Sequence, residues 1–557
     1  MSVPATAPAT TTTQVAPLAR LWRRELAHYP DTARRYLYLA IVVVTTVVLY
    51  YELYIQYAVA TSVIRHFDMS FRYFVWVSVI GNAVGAFASL VAGLADRWGR
   101  ANLVVYGLLA AALLLLVGLP AAADKTVYLV LFAAVSFVEG IVLVATPALI
   151  RDFSPQLGRA TAMGYWTMGP VIGSLAVTSV TSATLSSASW QDELRYSGLA
   201  GLLVFVLALV GLRELSPRLR DQIMVSLRDR ALVEARAAGV DPERRLQGHW
   251  RQMMRLDVVG SAVAISLFLL LYFAAVGNFV VYFATTFGYT EQRANALANW
   301  YWAPNAVALV LVGLLSDRLR VRKPFMVVGA LGTMAATALF ATRATQPTTG
   351  YYTFALLCLA IGVLSGVAYA PWMASFTETV ERHNPAATAT GLAVWGWIIR
   401  IVVAVSAAFV PVVVTAVTPL VEHGAQVQAA QAQAGPALAI VQAHPQLFAE
   451  LSTYPPNAVP PQLAARAVQE VGLTDLQTVS RSRPQLTVLQ AYGHQVQQAA
   501  AKGPGQWRTW WWICFAGQAL FLPFVFVMAG RWSPRRARED AEAHQAAVER
   551  ELAALAE

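Results

Sequence analysis

Two short charged stretches, each set between apolar runs, constrain this chain more than any other feature. The first is Ala92-Gly93-Leu94-Ala95-Asp96-Arg97-Trp98-Gly99-Arg100-Ala101. The second is Gly313-Leu314-Leu315-Ser316-Asp317-Arg318-Leu319-Arg320-Val321-Arg322. Asp96 and Asp317 stand 221 residues apart, and each copy closes one helix-length apolar run and opens another. A basic hairpin repeated at equivalent places predicts a duplicated membrane protein with two parallel halves.

The bulk composition agrees. Hydrophobic residues make up 57% of the 557 and charged ones 13%, with a mean hydropathy of +0.52; soluble domains carry about a quarter charged residues. Segments of about 20 apolar residues fall near 36–62, 72–93, 103–121, 128–150, 160–185 and 197–213. A second set falls near 257–285, 294–315, 325–342, 351–373, 387–415 and 508–530. The expected fold is therefore an all-α integral membrane protein, with twelve transmembrane helices in two six-helix bundles. The expected segments are a tail (1–35), an N-terminal bundle (36–213), a basic linker (214–256) and helices 7–11 (257–415). An insert (416–507), helix 12 (508–530) and a C-terminal tail (531–557) complete the chain. The first apolar run is too long for a signal-peptide core, so it is expected to stay as a span.

Arginine sets the expected orientation. If both termini are cytoplasmic, the inner segments hold 29 of the 41 Lys and Arg and the outer ones 11, with Arg400 inside a span. That asymmetry places both tails inside. It also accounts for the net charge of +10 by topology, which removes the reason to invoke nucleic acid. Cys358 and Cys514 both lie in apolar runs, so neither a disulfide framework nor a metal cluster is implied. The Ala-, Gln-, Val- and Pro-rich stretch of about ninety residues between the last two spans is too long for a structureless loop. A small extracytoplasmic helical cap is expected there.

The spacing of both hairpins resembles the G-x-L-a-D-R-x-G-R-R/K loop between the second and third helices of the major facilitator superfamily. Ala92 and Ala101 depart from that pattern in the first copy, and Arg320 replaces its glycine in the second. The resemblance implies secondary transport by alternating access, with a central path lined by the first, fourth, seventh and tenth helices and abutted by the eleventh. It also implies that charges beside the hairpins latch the halves: Asp96, Arg97, Arg100 and Arg151 in the first, Asp317, Arg318, Glu378 and Arg382 in the second. Gly164–Gly173 is similar to the Gly-Pro motif of superfamily antiporters, with Ser174 in place of the last glycine. Ser136 stands where the fourth helix usually carries an arginine.

Three ionisable residues lie deep in predicted spans: Glu52, Glu139 and Arg400. A charge at bilayer depth costs roughly 2.5–3.5 kcal/mol on insertion scales, so such residues face a cavity or a partner. Buried carboxyls suit reversible proton binding, which makes Glu52 and Glu139 candidates for proton coupling. A guanidinium stays charged and offers a planar fork of donors to a carboxylate or phosphate, which makes Arg400 a candidate anion ligand. Tyr51, Tyr54, Gln56, Asn278, Tyr282, Trp302, Asn305 and Trp397 are the further candidate substrate contacts.

The functional expectation is a proton-coupled carrier of a small organic anion in the plasma membrane, monomeric, without a cofactor. Proton-driven efflux of amphipathic compounds is the alternative within the same class, and a non-transporting receptor or scaffold docking an extracytoplasmic partner through the insert is the alternative outside it. No phosphate-cradling Gly-rich loop and no Ser–His or metal-ligand constellation appears in the spans, which argues against an enzyme.

Overall fold

The computed structural model describes residue 22 and residues 24–90, 98–154, 164–216, 219, 249–383, 388–455 and 458–556. Asp96, Arg97 and most of the linker lie outside the described residues, as does the side chain of Arg151.

The first half contains α1 (Thr32–Ala58), α2 (Ala60–His66), α3 (Phe71–Leu90), α4 (Arg100–Leu113), α5 (Lys125–Phe153), α6 (Gly169–Thr184) and α7 (Trp190–Gly211). After α8 (His249–Met253), the second half begins with three short pieces, α9 (Ser261–Phe268), α10 (Leu270–Gly277) and α11 (Phe279–Phe287). It continues with α12 (Glu291–Leu319), α13 (Lys323–Arg343), α14 (Tyr351–His383) and α15 (Thr388–Val413). Among the described residues, ten helices are long and apolar enough to cross a membrane. They become eleven when the pair bent by 42° at Leu269 counts as one span. α6, described over 16 residues, packs against α1 and α12 in the remaining place. The result is consistent with six spans on each side of the linker.

Local chemistry starts these helices where the chain leaves the bilayer. Asp31, Asp124 and Thr290 each accept a backbone N–H from the first turn of α1, α5 and α12, and Ser189 with Asp192 forms a capping box on α7. Packing within each half then depends on small residues at the crossings. A Cβ on Gly140 of α5 would sit 2.3 Å from the Gly85 carbonyl of α3, and one on Gly362 of α14 would sit 2.4 Å from the Tyr301 carbonyl of α12. These two glycines are 222 residues apart, so the close approach of backbones is itself duplicated.

The N-terminal segment is tied to the first half more firmly than expected of a tail. Glu25–Leu26 (β1) pairs in parallel with Glu214–Leu215 (β2). The buried guanidinium of Arg24 donates to the carbonyls of Ala208, Leu209 and Leu212, which places a cation on the C-terminal carbonyls of α7. The buried Glu214 carboxylate accepts the Arg100 N–H at 2.8 Å. The start of the linker is thus bonded to the hairpin after the second span.

The insert folds as α16 (Val417–Ala443), α17 (Pro445–Ser452), α18 (Pro461–Val471), α19 (Leu473–Arg481) and α20 (Arg483–Val488). α21 (His494–Val527) then runs through the expected boundary at 508 as one helix. It continues there because α16 packs beside it: Gln506 donates to Thr415 and accepts the Ala416 N–H, and Gly503 lies against Ala416 and Leu420. α16 also touches α2, α3 and α11, and Glu422 on it accepts the Phe71 N–H at 3.3 Å. α22 (Pro534–Ala556) closes the chain.

The buried apolar residues report how the halves meet. On the side of the insert, one continuous cluster joins both halves through residues such as Phe71, Tyr51, Phe279 and Trp507. On the side of the termini the core splits in two, one part around Leu149 and Leu212 and the other around Phe376 and Val525. Replacing Gly140 or Gly362 by valine should force the paired helices apart, at a cost of about 1–3 kcal/mol or more for overpacking. A thermal melt of each purified variant in detergent should show a midpoint several degrees below the parent; an unchanged midpoint would mean these crossings yield without strain.

Candidate functional site

Between the halves lies a cavity of about 310 Å³. α1 contributes Tyr50, Leu53, Tyr54 and Tyr57, the i, i+3, i+4 and i+7 positions of one helical face. α15 presents Trp395, Ile399, Arg400, Val403 and Ala407 in the same manner. Tyr272 and Asn278 come from the broken seventh span, Asn305 from α12, Ser365 and Tyr369 from α14. The lining is predominantly aromatic and aliphatic, with hydroxyls, the three amides of Asn82, Asn278 and Asn305, and the half-buried Arg400 as its polar points. Arg400 lies within electrostatic reach of Tyr50 across the cavity. Asn305 is fixed by donating to the Gly362 carbonyl at 2.7 Å and the Ser365 hydroxyl at 3.0 Å.

Of the residues singled out from sequence, Arg400, Tyr54, Asn278 and Asn305 line this cavity. The others do not. Trp397 lies off the α15 stripe and is 47% exposed on the outer surface of the bundle. Tyr282 is packed between Trp507 and Trp511, each at 5.1 Å between ring centroids. Trp302 is buried behind Tyr272. Tyr51 and Gln56 fall on the face of α1 that looks into the first half, where both are buried. Helical phase explains each displacement: one residue along a helix turns the side chain by about 100°.

The same phase carries Glu52 away from the cavity. Its carboxylate lies against Gly201 of α7 and near Ala112 of α4, a position open only because residue 201 has no side chain. Glu139, from α5, is within electrostatic reach of Glu52 and of the cavity-lining Tyr50 and Tyr57. Both carboxyls are buried, and their oxygens have no hydrogen-bond partner among the described residues. Two buried carboxyls thus lie within electrostatic reach of each other in the first half, outside the lining of the cavity.

The hairpin charges pair within each half. Arg100 binds Asp152 at 2.9 Å. Arg322 bridges Asp317 at 2.6 Å and Glu378 at 3.1 Å. Arg318 and Arg382 are exposed. Asp152 and Glu214 lie outside the repeated motif, the first directly beside Arg151; Arg322 closes the second copy but is not among the expected latch charges. Polar bonds between the halves lie at the opposite end: among the described residues they join α12 and α16 to α1, α2, α3 and α6 on the insert side.

The description of the Major Facilitator Superfamily matches residues 42–407. Among solved structures, a bacterial homologue of the human lysosomal transporter Spinster in an inward-facing, occupied conformation is similar at 16% identity and a TM-score of 0.51. It covers 91% of this chain and 100% of its own. The same homologue, unoccupied, gives 17% and 0.51 over the same shares. The xylose transporter XylE from E. coli, in a partially occluded inward-open conformation, is 15% identical with a TM-score of 0.49, over 68% of this chain and 97% of its own. No curated protein sequence matches the chain. With that match over more than half its length, and a duplicated helical frame closed around a central cavity, the chain belongs to the major facilitator superfamily: it is a membrane transporter and not an enzyme.

Proposed function

We propose that the chain is a proton-coupled carrier of a small organic anion with an apolar body, working by alternating access with both termini in the cytoplasm. The observation that carries this reading is the placement of Arg400 in a cavity whose other walls are aromatic and aliphatic. A guanidinium there supplies charge-assisted bonds to a carboxylate or phosphate, and Tyr54, Tyr272 and Trp395 supply apolar and stacking surface for the rest of the solute. A fully polar solute would leave that surface unused. The aromatic lining equally favours efflux of amphipathic compounds, so direction of transport is read from the experiment.

Coupling is assigned to Glu52 and Glu139. A pair of buried carboxyls without a cationic partner is tolerated when protons are shared between them. Their place beside Tyr50 and Tyr57 connects the protonation state to the wall of the cavity. The continuous apolar core on the insert side and the divided one on the termini side support a carrier closed to the outside.

Uptake and counterflow in proteoliposomes, with a panel of organic anions and cationic dyes, test both assignments. Arg400→Ala should weaken apparent anion affinity about 10–100-fold, the equivalent of one hydrogen bond to a charged group, and Arg400→Lys should recover part of it. Unchanged affinity in Arg400→Ala would remove the anion-binding role. Glu52→Gln and Glu139→Gln should keep counterflow while losing accumulation driven by a pH gradient. Gradient-driven accumulation that survives both substitutions would show that coupling lies elsewhere.

A further inference from the structure

The first span is broken one residue before its outer segment, and the break is filled from the other half of the molecule. Val59, at φ −116° and ψ 23°, separates α1 from α2. In an unbroken helix the Ser62 N–H would donate to the Ala58 carbonyl, four residues back. Here that bond is split. Ser62 N–H donates to the Glu291 carboxylate at 2.8 Å, and the Ala58 carbonyl accepts instead from the Asn295 amide at 2.9 Å. Two residues one turn apart on α12 therefore stand in for the donor and the acceptor of a single missing helical bond.

The rest of the contact reinforces the substitution. The hydroxyls of Thr61 and Ser62 also donate to Glu291, the second at 2.5 Å. Asn295 is 1% exposed. One turn further along α12, Asn299 accepts from the Thr178 hydroxyl at 2.6 Å and donates to the Ser182 hydroxyl at 3.2 Å, while Gln292 donates to the Ser182 carbonyl. One polar edge of α12 thus holds both α1–α2 and α6, all across the interface between halves and all on the insert side.

From this geometry we propose that Glu291 and Asn295 are positioning residues of the insert-side gate, and that their withdrawal re-forms the Ser62 N–H to Ala58 carbonyl bond, fusing α1 and α2 into one helix. The inference rests on the alternating-access reading above. Parting the halves on this side would take the α12 partners away from a backbone donor and a backbone acceptor, groups that have to be paired again within the helix or by water. They are already four residues apart in sequence, so a change at Val59 alone pairs them. The same two groups then have a partner in both states, which is what a two-state element requires.

The test uses the full-length protein with Ala407→Cys as a reporter in the cavity wall; the native Cys358 and Cys514 are buried. A membrane-impermeant maleimide applied to oriented proteoliposomes from the insert side reads how often that side opens. Glu291→Ala and, separately, the Thr61→Val/Ser62→Ala pair should each raise the labelling rate about tenfold, the population shift expected on losing bonds to a charged group. Combining the two sets should add nothing beyond Glu291→Ala, because the hydroxyl bonds removed by the pair end on the carboxylate that Glu291→Ala already deletes, together with the Ser62 N–H bond. Amide exchange over residues 56–66 should slow when the gate is released, as the helix heals. Unchanged labelling in both sets, or additive effects in the combination, overturns the proposal. Should Glu291→Ala fail to fold, the Thr61→Val/Ser62→Ala pair decides alone. If the protein without the Ala407→Cys reporter shows neither uptake nor counterflow, it is the carrier reading that fails and not the gate.

Discussion

Lipid offers a peptide group no hydrogen bond, so every interruption of a spanning helix has to be answered from within the protein. This constraint shapes where the chain departs from straight helices. Breaks occur at Val59 and at Leu269 and Asn278, in the first and seventh spans, which are the equivalent members of the two halves. The first break is answered by Glu291 and Asn295. The second pair opens toward the cavity, where Asn278 forms part of the wall. Elsewhere, uninterrupted stretches of the spans approach until glycine meets backbone, as at Gly140 and Gly362. The rigid parts of the fold and its movable parts are thus separated by the same rule.

A carrier must also part along one surface without dissolving either half. The division of the apolar core meets this demand: each half keeps its own cluster on the side of the termini, and the two share one on the side of the insert. The ion pairs obey the same division. Arg100 with Asp152, and Arg322 with Asp317 and Glu378, stiffen hairpins inside their own half in this state. The Arg100–Asp152 pair is mostly buried, whereas Asp317 and Glu378 reach solvent; a solvent-exposed pair contributes only about 0–1 kcal/mol, a scale suited to biasing near-equal states.

The duplicated Asp-Arg hairpin and the apolar periodicity make the frame legible in the sequence, because both are set by distances along the chain. Arg400 and Asn305 could be found the same way, being polar residues in long apolar runs. What sequence could not supply was phase. Tyr50 and Tyr51 are neighbours of the same chemistry, yet one lines the cavity and the other faces α7. Trp395 and Trp397 divide likewise between cavity and outer surface. Nor did the hydropathy boundary include Glu291, since a charged residue at the edge of an apolar run reads as loop. Its role appears only when the broken end of α1 is brought against it. The insert posed the opposite difficulty: its Ala- and Gln-rich stretches promise helices, but only the docking of α16 on α2, α3, α11 and α21 says where they lie.

The polar character of the insert-side closure then has a physical reason. An apolar seal is non-directional and gains with every square ångström buried, so a carrier closed only by such a seal would resist opening in proportion to its area. Hydrogen bonds between helices are worth little net when each partner has another outlet, and a good deal when it has none. At the α12 edge the outlets are unequal. Thr61, Ser62 and Ala58 can be satisfied within their own helix, whereas Glu291 and Asn299 must turn to water as the halves part. The closed state is favoured by the groups on α12, while those on α1–α2 are nearly indifferent. The balance between the two faces of the carrier therefore depends on how readily water reaches Glu291, and α16, bonded through Glu422 to the start of α3, stands over that same side.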